Sequence, residues 1–260
     1  MKKINLHQQV TFILLAFVLC TASFAQNNNI VYQYSVITAL LGGIYEGNLS
    51  VNELSKHGDF GLGTFNQLDG ELVLLDGKFY QITGKGEVNI IPGEILTPFA
   101  VVTFFKADKN RNITDSLSYK ELQSFLDGML PGLNAVYAIR LEGTFSYVKT
   151  RSLNAQQRPY KKLAEVTKNQ SIFEFGNTEG TMVGFRFPSY IDGVNVPGYH
   201  FHFISADKKS GGHVLDLKIG NVKAETARQD NLYISFPLNE EFLKADLSGK
   251  NILDLNKAEK

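Results

Sequence analysis

Apolar and polar residues alternate in short runs over much of the chain, and glycine or polar turn residues separate the runs. This pattern is typical of β-strands. The runs at 71–75 and 78–83 flank Asp76-Gly77, a dipeptide favoured in tight hairpin turns, and predict a β-hairpin. Further strands are expected at 99–105 and 135–151. The first half of the chain is therefore predicted to be largely sheet.

Two helices are predicted in this half from their capping residues. Ser50 with Glu53, and Ser118 with Glu121, each form the Ser-x-x-Glu pattern of a capping box. The second helix should end near Gly128. Between the two helices, the three glycines of residues 57–65 indicate backbone that has a special conformation or lies close to another segment.

The second half of the chain is predicted to be almost entirely strand. A polar, proline-containing stretch at 154–162 separates it from the first half and is the best candidate for a linker. We predict an α/β protein of the α+β type with two β-rich domains. Residues 26–153 would form a mixed sheet with helices, and residues 154–260 a β-barrel-like domain. Strands are expected at 172–175, 181–187, 198–205, 213–219 and 232–236.

The N-terminus has the layout of a secretory signal peptide. Met1 and two lysines precede a mostly apolar run at 10–20, and a small-residue stretch ends at Ala25. Cleavage after Ala25 predicts a secreted or periplasmic protein. Cys20 offers a lipid anchor as the alternative, but Leu19 stands where a small residue is required. The apolar run is too short to span a membrane stably.

The composition of the remaining chain, 26–260, limits the partners. The signal segment holds two lysines and no acidic residue, which leaves a net charge of about −2. No basic stripe is present to attract nucleic acid, and no second long apolar run suits a membrane. Without Cys20 there is no thiol or disulfide chemistry. A small polar substrate fits this chain best.

Three of the five histidines lie within one stretch of the second half. His200 and His202 are two residues apart in a β-favouring run, so both imidazoles should lie on one face of a strand. A polar, glycine-containing turn at 207–212 should return the chain antiparallel and bring His213 beside them. Three imidazoles without a cysteine describe a catalytic zinc site with one open position.

Other interpretations of these histidines stay open at this point. A single histidine on a strand is more often a surface or satisfied core residue than a metal ligand. Copper, nickel or iron can occupy the same three imidazoles. His57 lies at a predicted helix end, where a partial positive charge is favourable, and is not assigned to the site.

Several segments together resemble the α-acetolactate decarboxylase family. They are residues 57–71, 97–104, 147–151, 196–203 and Gly211-Gly-His213, and they occur in the family's order over nearly the whole mature chain. The resemblance implies an α/β protein of two domains, commonly a homodimer. It also implies the conversion of 2-acetolactate to acetoin and carbon dioxide on Zn²⁺ held by three histidines.

The resemblance also implies roles for individual residues. Zinc would chelate the substrate oxygens and stabilise an enediolate that is then protonated. Arg151 would orient the substrate with its planar donor fork. Glu71 would donate the proton, because it leads a run that is apolar on both faces, where the protonated carboxyl group is favoured. Thr64 would bind substrate or water, or only form a turn. Glu259, in a tail that otherwise suggests a solvated end, matches a second active-site glutamate.

Two rival classes stay open from the residues alone. One is another three-histidine zinc lyase or hydrolase, which needs an activated zinc-bound water. The other is a secreted β module that binds metal without catalysis. For Arg151 and Glu71 the alternatives are a surface arginine at a strand end and an edge-strand glutamate that faces water.

Overall fold

The computed structural model describes residues 29–248 and residue 255. The strands of this part of the chain, β1 to β14, are Ile30–Tyr34, Leu49–Ser50, Phe60–Thr64, Glu71–Leu75, Lys78–Ile82, Val88–Ile90, Leu96–Thr97, Phe99–Thr103, Lys109–Ile113, Val136–Ser152, Ser171–Phe187, Gly198–Ser205, Gly211–Gln229 and Asn231–Ser235. The α-helices are α1 Ile37–Leu41, α2 Val51–Leu54, α3 Tyr119–Met129, α4 Leu163–Val166 and α5 Glu240–Lys244. The predicted signal peptide and Glu259 lie outside the described residues.

Two sheets contain most of the strands. The first has the order β14-β1-β8-β3-β4-β5-β6 and is mixed, since β1 and β14 run parallel while the other neighbours are antiparallel. The second has the order β10-β11-β12-β13-β9, and β10 also pairs with β13. These pairings confirm the α+β class. The closed barrel stays a prediction. Among the described helices, none has both the length and the apolar character needed to cross a membrane.

Local sequence signals account for several elements. Asp76 and Gly77 have φ of 50° and 73°, the left-handed conformations that a tight turn between β4 and β5 requires. Ser118 accepts a hydrogen bond from the Glu121 amide, and the Glu121 side chain accepts one from the Ser118 amide, which is the predicted capping box. The prediction of separate strands at 172–175 and 181–187 is wrong, because β11 pairs with β10 through Gly176 and beyond.

The strand pairings cross the predicted boundary between residues 153 and 154. β10 lies before the boundary and pairs with β11 and β13 after it, while β14 returns to pair with β1. A large apolar cluster is shared by both sheets and includes Leu62 and Val73 from the first and Phe185 and Ile204 from the second. The two sheets therefore pack against each other over one core. The division into two folding units stays a prediction.

The glycines of residues 57–65 allow β3 to lie close to β8, as the sequence predicts. A Cβ on Gly63 would approach the Phe99 carbonyl oxygen to 2.4 Å and the Ala100 Cα to 2.8 Å. Both contacts are with backbone, which cannot move without displacing β8. A side chain at this position is therefore excluded by the sheet itself.

We predict that Gly63→Ala lowers the free energy of unfolding by about 1–3 kcal/mol, because the added methyl group overpacks a rigid contact. Gly176→Ala is the matched control, since a Cβ there has no heavy atom within 4 Å. It should change stability by less than about 0.5 kcal/mol. Urea unfolding monitored by circular dichroism measures both variants. Equal stabilities for the two would contradict the close approach of β3 and β8.

Candidate metal centre

The three clustered histidines lie on the face of the second sheet that meets the first sheet. Along β12, Ile204 belongs to the core shared by the two sheets, and His200 and His202 lie on its side of the strand. Phe201 points to the opposite face and a different core cluster. His213 on β13 is the direct cross-strand partner of His202. The predicted strand–turn–strand arrangement is confirmed.

The distances between the imidazoles suit a shared metal ion. All three side chains are buried, and one ring nitrogen from each lies within 4.8 Å of the other two. His200 Nε2 and His213 Nδ1 are 3.1 Å apart. Nitrogens that bind tetrahedral zinc at about 2.0–2.1 Å are roughly 3.3 Å apart, so the pair of His200 and His213 already has about the spacing that zinc requires.

Burial keeps the imidazoles of His200 and His202 neutral, so that both can bind a cation. It lowers the pKa of His200 to about 3, with a further contribution from the charge of Arg151. The pKa of His202 is held well below its ordinary value, again by burial first and by the neighbouring His200 second. At neutral pH each of these two rings therefore has one nitrogen with a free lone pair, and it can bind a metal without first losing a proton.

A backbone carbonyl of the first sheet orients His202. His202 Nδ1 lies 2.8 Å from the Leu72 carbonyl oxygen, an acceptor only, so Nδ1 carries the hydrogen and Nε2 the lone pair. Hydrogen bonds of this kind hold the tautomer and angle of metal ligands. The contact joins β12 to β4 across the two sheets. Sequence analysis missed it, because a carbonyl acceptor has no signature in the side-chain pattern.

Glu71 and Arg151 meet beside the histidines. Arg151 Nη1 lies 3.4 Å from one carboxylate oxygen of Glu71, and the other oxygen lies 3.5 Å from His202 Nε2. Both residues are buried, with exposed fractions of 6% and 3%, so neither is the surface residue of the alternative interpretations. The sequence predicted apolar surroundings for Glu71. The structure adds the guanidinium group of Arg151 to these surroundings.

Thr64 lies directly opposite Glu71 in the β3–β4 pair. Its hydroxyl donates a 2.8 Å hydrogen bond to the Gly70 carbonyl and so closes the turn between these strands. The turn-forming role predicted as one alternative is thus present. Thr64 also lines the cavity, and its hydroxyl oxygen can accept a hydrogen bond as well as donate one.

The histidines, Glu71, Arg151 and Thr64 form the polar side of a small cavity. The volume of the cavity that is accessible to water is about 30 Å³, which is enough for about two water molecules. The rest of the lining is mostly apolar, and the sequence does not single it out because its residues look like ordinary core. Its apolar side chains are Ile37, Leu40, Leu68, Phe99, Leu153 and Leu163.

His57 lies away from this cavity, as the sequence predicts. It ends a 3₁₀ turn, and its ring stacks on Tyr32 with centroids 3.8 Å apart. Taken together, the fold and the cavity define an α+β protein whose candidate active site is a buried three-histidine metal centre.

Comparisons with known proteins agree with this class. The family model for alpha-acetolactate decarboxylase matches residues 31–249. A Methanosarcina mazei alpha-acetolactate decarboxylase is 47% identical over 234 residues, which cover 90% of this chain and 81% of the relative. The crystal structure of the Bacillus subtilis strain 168 enzyme superposes with a TM-score of 0.87 at 38% identity and covers 88% of this chain and 99% of its own.

The chain therefore belongs to the alpha-acetolactate decarboxylase family, and it is an enzyme of the decarboxylase class. This confirms the resemblance that the sequence segments indicate.

We predict that the purified protein binds one divalent metal ion per chain and that His202→Ala removes it, because two imidazoles leave the ion without its third nitrogen. His57→Ala is the control, since the His57 ring stacks on Tyr32 outside the cluster. Elemental analysis after dialysis against a zinc buffer measures the metal content of both variants. Equal metal content in the two variants would exclude this cluster as the binding site.

Proposed function

We propose that the protein decarboxylates 2-acetolactate to acetoin and carbon dioxide at a zinc ion held by His200, His202 and His213. The observation that carries the proposal is the combination of three buried imidazoles with Arg151 and Glu71 in one small cavity. Relatives named alpha-acetolactate decarboxylase support the choice of substrate. When bound, the ion supplies Lewis-acid stabilisation of the negative charge that develops on the substrate oxygens.

Arg151 binds the substrate carboxylate in this proposal. Its guanidinium group offers planar paired donors that match a carboxylate. The bond between the carboxylate carbon and C2 then breaks, carbon dioxide leaves, and the electron pair stays on the substrate as an enediolate. Arg151 is itself buried, which strengthens its electrostatic contribution.

Glu71 supplies the proton that completes the reaction. Without substrate, its carboxylate contacts Arg151 Nη1 at 3.4 Å. A substrate carboxylate competes for the same guanidinium donors and brings a second negative charge beside Glu71. Both changes favour protonation of Glu71, which then delivers the proton to C2 of the enediolate. Thr64 accepts or donates a hydrogen bond to the substrate or to a water beside it.

The proposed activity is tested by incubating the purified protein with racemic 2-acetolactate and measuring acetoin and carbon dioxide. We expect one acetoin per carbon dioxide and loss of the activity with a chelator. A protein that binds zinc but forms no acetoin would contradict the proposal. Hydrolysis of a panel of esters and amides would then indicate the rival hydrolase, and inactivity on all substrates the non-catalytic module.

We predict that Arg151→Lys lowers kcat/KM by about 10- to 100-fold with unchanged zinc content, because lysine keeps the charge but loses the donor fork. Arg140→Lys is the matched control on the same strand. Arg140 pairs with Asp76 and Glu142, which are more than half exposed, so its replacement should leave turnover unchanged. Wild-type kinetics in Arg151→Lys would remove Arg151 from substrate binding.

Glu259 is proposed as a second group in proton delivery. Leu255 is buried in the core cluster that also contains the cavity residues Leu40 and Leu153, which supports a tail that returns to the site. Four residues of extended chain reach about 14 Å, enough to bring Glu259 from Leu255 to a nearby cavity. Proton delivery from one face would fix the handedness of the acetoin.

We predict that Glu259→Gln lowers turnover strongly with zinc and fold intact, and that deletion of residues 256–260 has the same effect. Glu240→Gln is the control, because the Glu240 side chain is 85% exposed and pairs with Lys244 on the surface helix α5. Rates come from the acetoin assay and handedness from chiral chromatography. Unchanged rate and handedness in both tail variants would assign proton delivery to Glu71 or water.

Export and dimer formation are also proposed. The layout of residues 1–25 supports a mature start at Gln26 in the periplasm or the medium. An intact mass that matches a chain starting at a lipid-modified Cys20 would contradict it.

The edge strand β14 and the segment after it expose Tyr233, Phe236 and Leu238, an apolar patch that suits a second copy of the chain. Light scattering that gives the mass of one chain would exclude the dimer.

A further inference from the structure

His213 lies where strand β13 changes neighbours. Residues 211–213 pair with β12, and the pairing with β10 begins at His213. His213 is therefore the cross-strand partner of His202 on one side and of Arg151 on the other. One candidate metal ligand thus shares a row across three strands with a second ligand and with the arginine proposed to bind the substrate. Its placement depends on how β13 enters the sheet.

A β-bulge follows His213 directly. The pairing of β13 with β10 shifts register between Lys149 and Thr150, and the register skips Leu215. An extra residue of this kind reverses the faces to which the residues beyond it point. His213 and Leu217 would share a face in a regular strand, since they are four residues apart. Leu217 instead belongs to the core cluster on the opposite face, while His213 lines the cavity. The bulge therefore turns His213 toward the other two histidines.

Two glycines allow β13 to lie close to both neighbouring strands just before His213. A Cβ on Gly211 would lie 2.3 Å from the Phe203 carbonyl oxygen on β12, and one on Gly212 would lie 2.5 Å from the Arg151 carbonyl oxygen on β10. Gly212 also has φ of 136°, which residues with a side chain rarely adopt. Glycine leaves this backbone free to take other conformations, so its position depends on contacts with the neighbouring strands.

Thr150 supplies such a contact at the bulge. Its hydroxyl donates a 2.9 Å hydrogen bond to the Gly211 carbonyl oxygen, and its side chain is fully buried. In a buried site this bond is stronger than it would be in water. It joins β10 to the glycine backbone two residues before His213 and opposes a slip of β13 by one residue, which would turn His213 to the other face. Thr150 itself is not among the residues that line the cavity.

We propose that Thr150 is a positioning residue that holds His213 in the metal cluster through the backbone of Gly211. The inference rests on the metal centre of the proposed function. Thr150→Val replaces the hydroxyl group with a methyl group and removes the hydrogen bond to the Gly211 carbonyl. His213 is then held less firmly, while the other two ligands stay in place on β12, and zinc binds more weakly.

The test measures the zinc Kd of the metal-free, full-length protein by competition with a chelator of known affinity. Thr150→Val should weaken zinc binding by about tenfold or more. Thr150→Ser keeps the hydroxyl group and should bind zinc as tightly as the wild type. Bound Co²⁺ gives a second readout, because its visible spectrum depends on the arrangement of its ligands. This spectrum should change in the valine variant and stay the same in the serine variant.

Thr226→Val is the matched control. Thr226 lies near the other end of β13 and is also fully buried, and its hydroxyl hydrogen bonds to Asp108 at 3.5 Å, away from the histidines. Its zinc Kd should equal that of the wild type even if its urea midpoint falls. If Thr150→Val does not fold, Thr150→Cys decides the question by the same measurement, because a thiol is a weaker donor than a hydroxyl group.

Equal zinc affinities in the Thr150 variants and the wild type would overturn the inference. An equal loss of affinity in Thr226→Val would also overturn it, because a general weakening of the sheet would then explain the effect. A serine variant that binds zinc as weakly as the valine variant would remove the hydroxyl group from the account. A wild-type protein that binds no zinc would instead contradict the metal centre of the proposed function.

Discussion

The packing of two sheets over one core imposes the main constraint on this structure, because the site's polar side chains lie inside that core. An unpaired buried charge costs several kcal/mol, so a glutamate and an arginine persist there only as partners. Glu71 and Arg151 meet this requirement with a contact of 3.4 Å between the sheets. The same contact places a cation and a carboxylate together in the lining of the cavity.

The three histidines satisfy the constraint in a different way. Burial keeps the rings of His200 and His202 neutral, which removes the cost of a buried charge and leaves lone pairs for a metal. The Leu72 carbonyl holds His202 in one tautomer and ties β12 to β4. The orientation of a candidate metal ligand thus depends on how the two sheets pack. Substitutions in the shared core are therefore expected to change the orientation of the His202 ring through this hydrogen bond.

Local signals in the sequence predict the parts of the site that local geometry determines. The period of two places His200 and His202 on one face, and the polar turn brings His213 opposite His202, as the pairing shows. The contact between Glu71 and Arg151 joins residues 80 positions apart and depends on sheet packing that no local pattern encodes. The continuity of β11 was missed for a related reason, since pairing with β10 outweighs the weak strand preference around Gly176.

In the proposed function, decarboxylation requires one metal ion held by the three histidines, and a zinc titration of the metal-free protein measures this requirement. Acetoin formation from 2-acetolactate should rise in proportion to zinc bound and reach its maximum at one ion per chain. A full rate of acetoin formation in protein shown by elemental analysis to be metal-free would contradict the account.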